Sequence, residues 1–224
     1  MVARPIFLYV LAFAILAQLP STALAQTSDG YAIYSGLIEK SPAVRTGPGN
    51  VPTEDELFLI ESTTATSRTG FGPSRGPSNE LTESCVKVPT ADTVAFSEIL
   101  ADYNSRKDKP VTLARQFTFT RPYQLLPTKE IDQFLKDAMD ATPQALPAGF
   151  PPPVNRNPLF QKSKKVFRLG DVYFNSSRSF AMVYFSVFTT PLDGSGGWRA
   201  FRKSASGQWE ENRSWATCGW GSGR

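Results

Sequence analysis

The chain has 224 residues, of which 41% are hydrophobic and 20% charged, with a formal net charge of +4. That balance excludes a disordered polymer, and a mild positive charge with no dense basic stripe lacks the footprint of a nucleic-acid binder. There is no histidine. Its absence excludes a Ser-His-Asp triad, a Cys-His dyad and His-ligated metal sites, leaving neutral-pH acid–base chemistry to a shifted carboxylate, lysine or tyrosine.

The chain opens with the pattern of a cleavable secretory signal over residues 1–25. Arg4 supplies the charged start, Ile6 to Leu19 is apolar apart from Gln18, and Pro20-Ser21-Thr22 breaks the run. Ala23-Leu24-Ala25 then presents small residues where a signal peptidase reads them, so cleavage between Ala25 and Gln26 is expected. The run is short for a bilayer span, which needs about 20 apolar residues, and no later segment reaches that length. No cysteine near the cut is placed for a lipid anchor. The mature remainder, residues 26–224, has a net charge of +3 once Arg4 is lost, and its length suits one domain. A periplasmic or secreted location follows as an expectation.

Tyr31 to Lys40 reads as an amphipathic helix, with Tyr31, Tyr34, Leu37 and Ile38 on one face, Asp29 as a cap and Pro42 as a stop. Leu57 to Ile60 reads as a strand after the acidic cluster Glu54-Asp55-Glu56. Residues 62–79, rich in Ser, Thr, Gly and Pro, read as a surface loop. Thr93 to Tyr103 is a helix with Asp92 as cap. Val111 to Thr120 alternates as a strand does, with an irregularity at Ala114-Arg115. Thr128 to Ala141 is the clearest helix, set between Pro127 and Pro143. Residues 142–158 contain six prolines and can form neither a regular helix nor a central strand.

The rest reads as β-structure. Val166 to Phe174 is a strand, Asn175 to Arg178 a turn, and Ser179 to Thr190 a central strand buried on both faces. Asp193 to Gly197 reads as a tight glycine-rich turn, and Trp198 to Lys203 with Gln208 to Asn212 as a hairpin. The expected fold is α+β: a C-terminal antiparallel meander of about four strands, packed with two or three helices from the N-terminal half. The basic run Lys162, Lys164, Lys165 and Arg168 reads as a solvated strand edge that discourages sheet-to-sheet pairing.

Three parts of this meander stand out: Arg168-Leu169-Gly170-Asp171-Val172-Tyr173-Phe174-Asn175, the strand containing Ala181-Met182-Val183-Tyr184, and Phe201-Arg202-Lys203 followed by Gly207-Gln208-Trp209. Together they resemble small exported bacterial proteins of unknown function. The segment from Ala101-Asp102-Tyr103-Asn104 through Pro122 to Phe134 is similar to their middle portion. The likeness departs between Thr189 and Gly197, where such proteins often carry cysteines and this chain has none. The resemblance implies an α+β fold and export, and carries over no reaction and no catalytic residue.

The two cysteines, Cys85 and Cys218, are expected to form one disulfide in an oxidising compartment. Asp193-Gly-Ser-Gly-Gly lacks the lysine and helix of a phosphate loop. Glu210 and Glu211 are adjacent on a strand, point to opposite faces and cannot act as a glycosidase pair. Asn175-Ser-Ser and Asn212-Arg-Ser match the N-glycosylation pattern. Trp198 and Trp209 are expected to face each other across the hairpin and pack the core. Trp215 and Trp220, beside Cys218, are the candidate ligand-contact aromatics, expected to be partly exposed. No residue qualifies as catalytic or metal-ligating, and no cofactor motif is present. The expected function is a non-catalytic binding or accessory domain for an extracytoplasmic partner. The alternative is a histidine-independent, carboxylate-based hydrolase of envelope glycans, and a third reading is a small-molecule pocket beneath the helix-covered sheet.

Overall fold

In a computed structural model, residues 26–41, 57–66, 80–140, 165–190 and 193–221 are described. The leader, most of the 62–79 loop and the proline-rich 142–158 connection lie outside them. The elements in chain order are α1 (Ser28–Glu39), β1 (Phe58–Glu61), β2 (Val86–Lys87), α2 (Thr93–Arg106), β3 (Tyr123–Leu126), α3 (Thr128–Asp140), β4 (Lys165–Phe174), β5 (Phe180–Thr190), β6 (Asp193–Lys203), β7 (Trp209–Glu211), β8 (Ala216–Thr217) and β9 (Gly219–Gly221).

Seven strands form one mixed sheet in the order β3-β1-β4-β5-β6-β7, with β9 beside β7 on the same edge of β6. β1 is parallel to both β3 and β4. From β4 to β7 the sheet is an antiparallel meander, so the fold is α+β as expected. β2 and β8 pair separately.

Both sheet faces are covered. On one, Phe58, Phe167, Leu169, Val183, Phe185 and Phe201 pack under Tyr31, Ile33, Tyr34 and Ile38 of α1. On the other, Tyr173, Met182, Tyr184 and Trp198 pack under Phe96, Ile99 and Tyr103 of α2. Leu59, Val166 and Phe188 meet Ile131 and Phe134 of α3 on a patch of their own. A strand covered on both faces must be apolar in unbroken runs, which is how β5 reads.

Several expectations are corrected. Val111 to Thr120 forms no ladder strand; it is an extended strap on the α1 face, with Leu113, Phe117 and Phe119 turned into the core. Its one bridge is Thr63 to Thr112, and its irregularity is a tight turn in which the Gln116 N–H donates to the Ala114 carbonyl at 2.9 Å. Alternation reports one buried side, and a strap lying on a sheet has that as surely as a strand does. The start of the 62–79 loop is not a surface loop either. Thr64, Ala65 and Thr66 are buried, and the Ala65 N–H donates to Leu169 at 2.8 Å. β3 carries no clear alternation of its own, so no sequence pattern announces it. Asp193 to Gly197 is strand rather than turn, because the glycines let β9 approach β6 closely. The Cβ of an alanine at position 197 would lie 2.5 Å from the Cys218 carbonyl oxygen.

α1 is capped by Thr27, whose hydroxyl accepts from the Gly30 N–H at 3.2 Å, while Asp29 sits in its first turn. Asp92 makes no side-chain cap to α2; its carboxylate accepts from the Trp215 indole at 2.8 Å.

Candidate functional site

The C-terminal tail does not display both of its candidate aromatics; it buries one of them. Trp215 is 3% exposed, stacked on Phe180 at 5.3 Å and edge-on to Phe96 at 5.8 Å, so it is a core residue. Trp220 is half-buried against Phe188, and its indole N–H donates to the Tyr184 hydroxyl at 2.6 Å. Burial pushes the Tyr184 phenol up to about 12. Cys85 and Cys218 are disulfide-bonded across 133 residues, with Cα atoms 5.0 Å apart. The Cys218 N–H donates to the Cys85 carbonyl and its own carbonyl accepts from Trp198, so the bridge fastens the tail to both the small β2–β8 sheet and β6. Trp198 and Trp209 do not face each other. Trp209 pairs with Lys203 and packs on Phe174, while Trp198 is buried on the opposite sheet face.

Among the described residues, a dense polar cluster surrounds a β-bulge in β4 between Leu169 and Val172. The extra residue reverses the alternation, so that Leu169 and Val172 both point to the α1 face. It leaves Asp171, 2% exposed, within reach of both sheet faces. From the α2 side the Arg106 guanidinium ion-pairs with Asp171, donates to Asp102 at 2.6 and 2.8 Å and to the Val172 carbonyl at 2.9 Å. From the α1 side Gln26 donates to Asp171 at 3.0 Å and to the Tyr34 hydroxyl at 2.8 Å, which in turn donates to the Gly170 carbonyl at 2.7 Å. Burial pushes the Asp171 carboxyl up, against Arg106, the Val172 N–H and Gln26, which pull it down. Burial works against the Arg106 charge, but Asp102 and Asp171 outweigh it and hold the guanidinium above its ordinary value. Each group here is matched to a partner, which is the condition for burying charge at tolerable cost.

A second buried carboxylate, Glu61 at the end of β1, accepts from the Thr128 hydroxyl at 2.5 Å at the start of α3 and lies 3.3 Å from Arg168. Arg168 also pairs with Asp132 of α3. Burial raises the Glu61 carboxyl, opposed by Thr128 and Arg168. Arg168 and Lys165 are therefore not a solvated edge. Lys165 is 1% exposed, with its ammonium 5.6 Å from the Phe58 ring centre. Lys162 and Lys164 lie outside the described residues.

Neither buried carboxylate is among the residues lining the two grooves formed by described residues. Among the described residues, a concavity with mixed chemistry is a groove of about 200 Å³ where the last turn of α1 crosses β5, β6 and β7. Leu37, Phe185, Val187 and Phe201 form its apolar lining, and Lys40, Arg199 and Glu211 its charged part. Arg199 and Glu211 approach to only 3.9 Å, a loose ion pair open to competition. A second groove, of about 340 Å³, is polar and lies along the β6–β7 hairpin from Arg202 to Asn212. Sequence patterns do not reveal the α1 groove, since its walls come from four separated elements. No group of three or more acidic or cysteine side chains among the described residues is placed to hold a metal ion.

Asn175 of the first glycosylation pattern is 6% exposed, and its side-chain amide donates to Ser177 and Ser179 within the β4–β5 turn. No helix among the described residues is long and apolar enough to cross a membrane. No family model, no curated protein and no solved structure matches this chain.

Proposed function

We propose that this protein is an exported, non-catalytic binding domain, cleaved between Ala25 and Gln26, that engages an extracytoplasmic partner or ligand through the α1 groove. The observation that carries the binding reading is the groove itself: an apolar lining of Leu37, Phe185, Val187 and Phe201 beside a loosely paired Arg199 and Glu211. The buried carboxylates and their arginine partner support it from the other side. Asp171, Arg106 and Glu61 are occupied with one another or with neighbouring elements, as structural groups are. Export is supported by the leader pattern and by the disulfide, which suits an oxidising compartment. The likeness to small exported proteins of unknown function points the same way.

The test places a photo-crosslinking side chain at Leu37, in the groove, or at Val94, which is 72% exposed on α2. Each variant is irradiated in the envelope of the producing cell. Adducts specific to position 37 are the expected result. Equal labelling from both positions would remove the groove from consideration as the contact surface.

A further inference from the structure

On the export reading Gln26 is the first residue of the mature chain, and its chemistry as an N-terminal residue rests on that reading. An N-terminal glutamine is chemically unstable. Its α-amine attacks the side-chain Cδ, the Cδ–Nε2 bond breaks, and Nε2 leaves as ammonia with the proton shed by the amine. A neutral five-membered lactam replaces the amine and the carboxamide, and no oxidant or co-reactant is consumed.

In this fold both ends of that carboxamide are occupied. Nε2 donates to the Tyr34 hydroxyl at 2.8 Å and to Asp171 Oδ1 at 3.0 Å, and Oε1 accepts from the Thr27 N–H at 2.9 Å. Tyr34 is fully buried and Asp171 2% exposed, so the acceptors are fixed by the core rather than by solvent. The carboxamide lies over Gly30, where a Cβ would come within 2.4 Å of Gln26 Cδ. A glycine in the first turn of α1 makes the space that the side chain fills.

We propose that folding locks Gln26 against cyclisation, so that the mature protein keeps a free N-terminal amine and an intact carboxamide joining the start of α1 to the β4 bulge. Attack on Cδ requires the carboxamide to leave its three partners. Expulsion of Nε2 would also strip Tyr34 and Asp171 of a donor. Chains that cyclise before folding therefore form a weaker native state, and folding has to outrun the reaction.

The test uses the disulfide-bonded protein released from a fusion by a protease that leaves Gln26 first. Loss of the mass of one ammonia is followed by intact mass spectrometry in buffer and in denaturant. Cyclisation slower in buffer by about tenfold or more is expected, because reaction is limited to locally opened molecules. Equal rates overturn the proposal. In Tyr34→Phe, which keeps the ring and removes one acceptor, the rate in buffer should rise while the rate in denaturant stays the same; an unchanged rate in buffer counts against the lock. N-terminal sequencing of the exported protein tests the cleavage reading separately. A different first residue there overturns that reading alone, because the fusion-released chain begins at Gln26 in any case.

Discussion

Asp29 and Asp171 show how one residue type takes different electrostatic roles from its surroundings. Asp29, in the first turn of α1, receives Arg178 from the β4–β5 turn at 3.2 Å and Lys203 from β6 at 3.3 Å. Burial acts to raise its carboxyl, but the neighbouring Trp209 side chain and the hydrogen bonds from Lys203 and Arg178 outweigh that and leave it below the ordinary value. A lowered carboxyl stabilises the fold above its unfolded-state value, and that contribution is lost as pH falls through the lowered folded value. Asp29→Asn is accordingly expected to cost about 1 kcal/mol at neutral pH, the scale of a partly exposed ion pair. The difference should close below the carboxylate range. Urea midpoints of the two proteins at neutral and strongly acid pH measure this, and a gap that persists unchanged in acid would show that the charge of Asp29 is not its source. Asp171 and Glu61 run the other way: burial raises both, so neither adds stability by ionising. Arg178, at a φ of 52°, holds a conformation that costs a side-chain-bearing residue energy, and its guanidinium is stacked 4.1 Å from the Phe174 ring centre.

The elements are governed by what lies on each side of them. α1 is legible because its four apolar positions share a face, and β5 because it is apolar from Phe180 to Phe188 with Ser186 as the one break. The strap at 111–120 and the strand β6 mislead for related reasons. The strap alternates without a ladder, and the glycines that open β6 look like turn chemistry until β9 is beside them. β9 pairs Gly219 with Gly197 and Trp220 with Gly196. At Gly197 a new Cβ would meet the backbone of Cys218 and Gly219, both at 2.5 Å, and backbone cannot rotate aside as a side chain can. Gly197→Ala should therefore push the tail off β6 at a cost of about 1–3 kcal/mol, the usual penalty for overpacking. The expected readout is a lowered denaturation midpoint, with hydrogen exchange quickened at Trp198, whose N–H donates to Cys218. Full protection at Trp198 in the variant would contradict the close approach.

At the scale of the molecule, the Cys85–Cys218 bond joins a segment before α2 to the junction of β8 and β9 and closes a loop spanning 133 residues. In the chain-entropy account, opening such a loop costs about 5 kcal/mol. The double variant Cys85→Ser, Cys218→Ser should lose stability on that scale in denaturant titrations. It should do so without losing the sheet in far-UV circular dichroism, since β4, β5 and β6 pair independently of the bridge. An undiminished midpoint would mean that Trp215 and Trp220 hold the tail unaided. Composition alone determined that histidine chemistry is absent, and cysteine arithmetic determined the pairing, because two thiols admit one intramolecular bond. Periodicity and proline placement determined the helices and the meander, since they record which side chains face apolar surroundings. They do not record which element supplies those surroundings. The tertiary structure alone decided that β1 lies parallel between β3 and β4, that Trp215 and Lys165 are buried, and that Asp171 links both faces of the sheet. Those outcomes depend on partners far apart in the chain, as Asp171 is from Arg106 by 65 residues and from Gln26 by 145. The α1 groove and the setting of Gln26 were unreadable for the same reason: local pattern reports burial, and only the folded chain brings distant residues to one place.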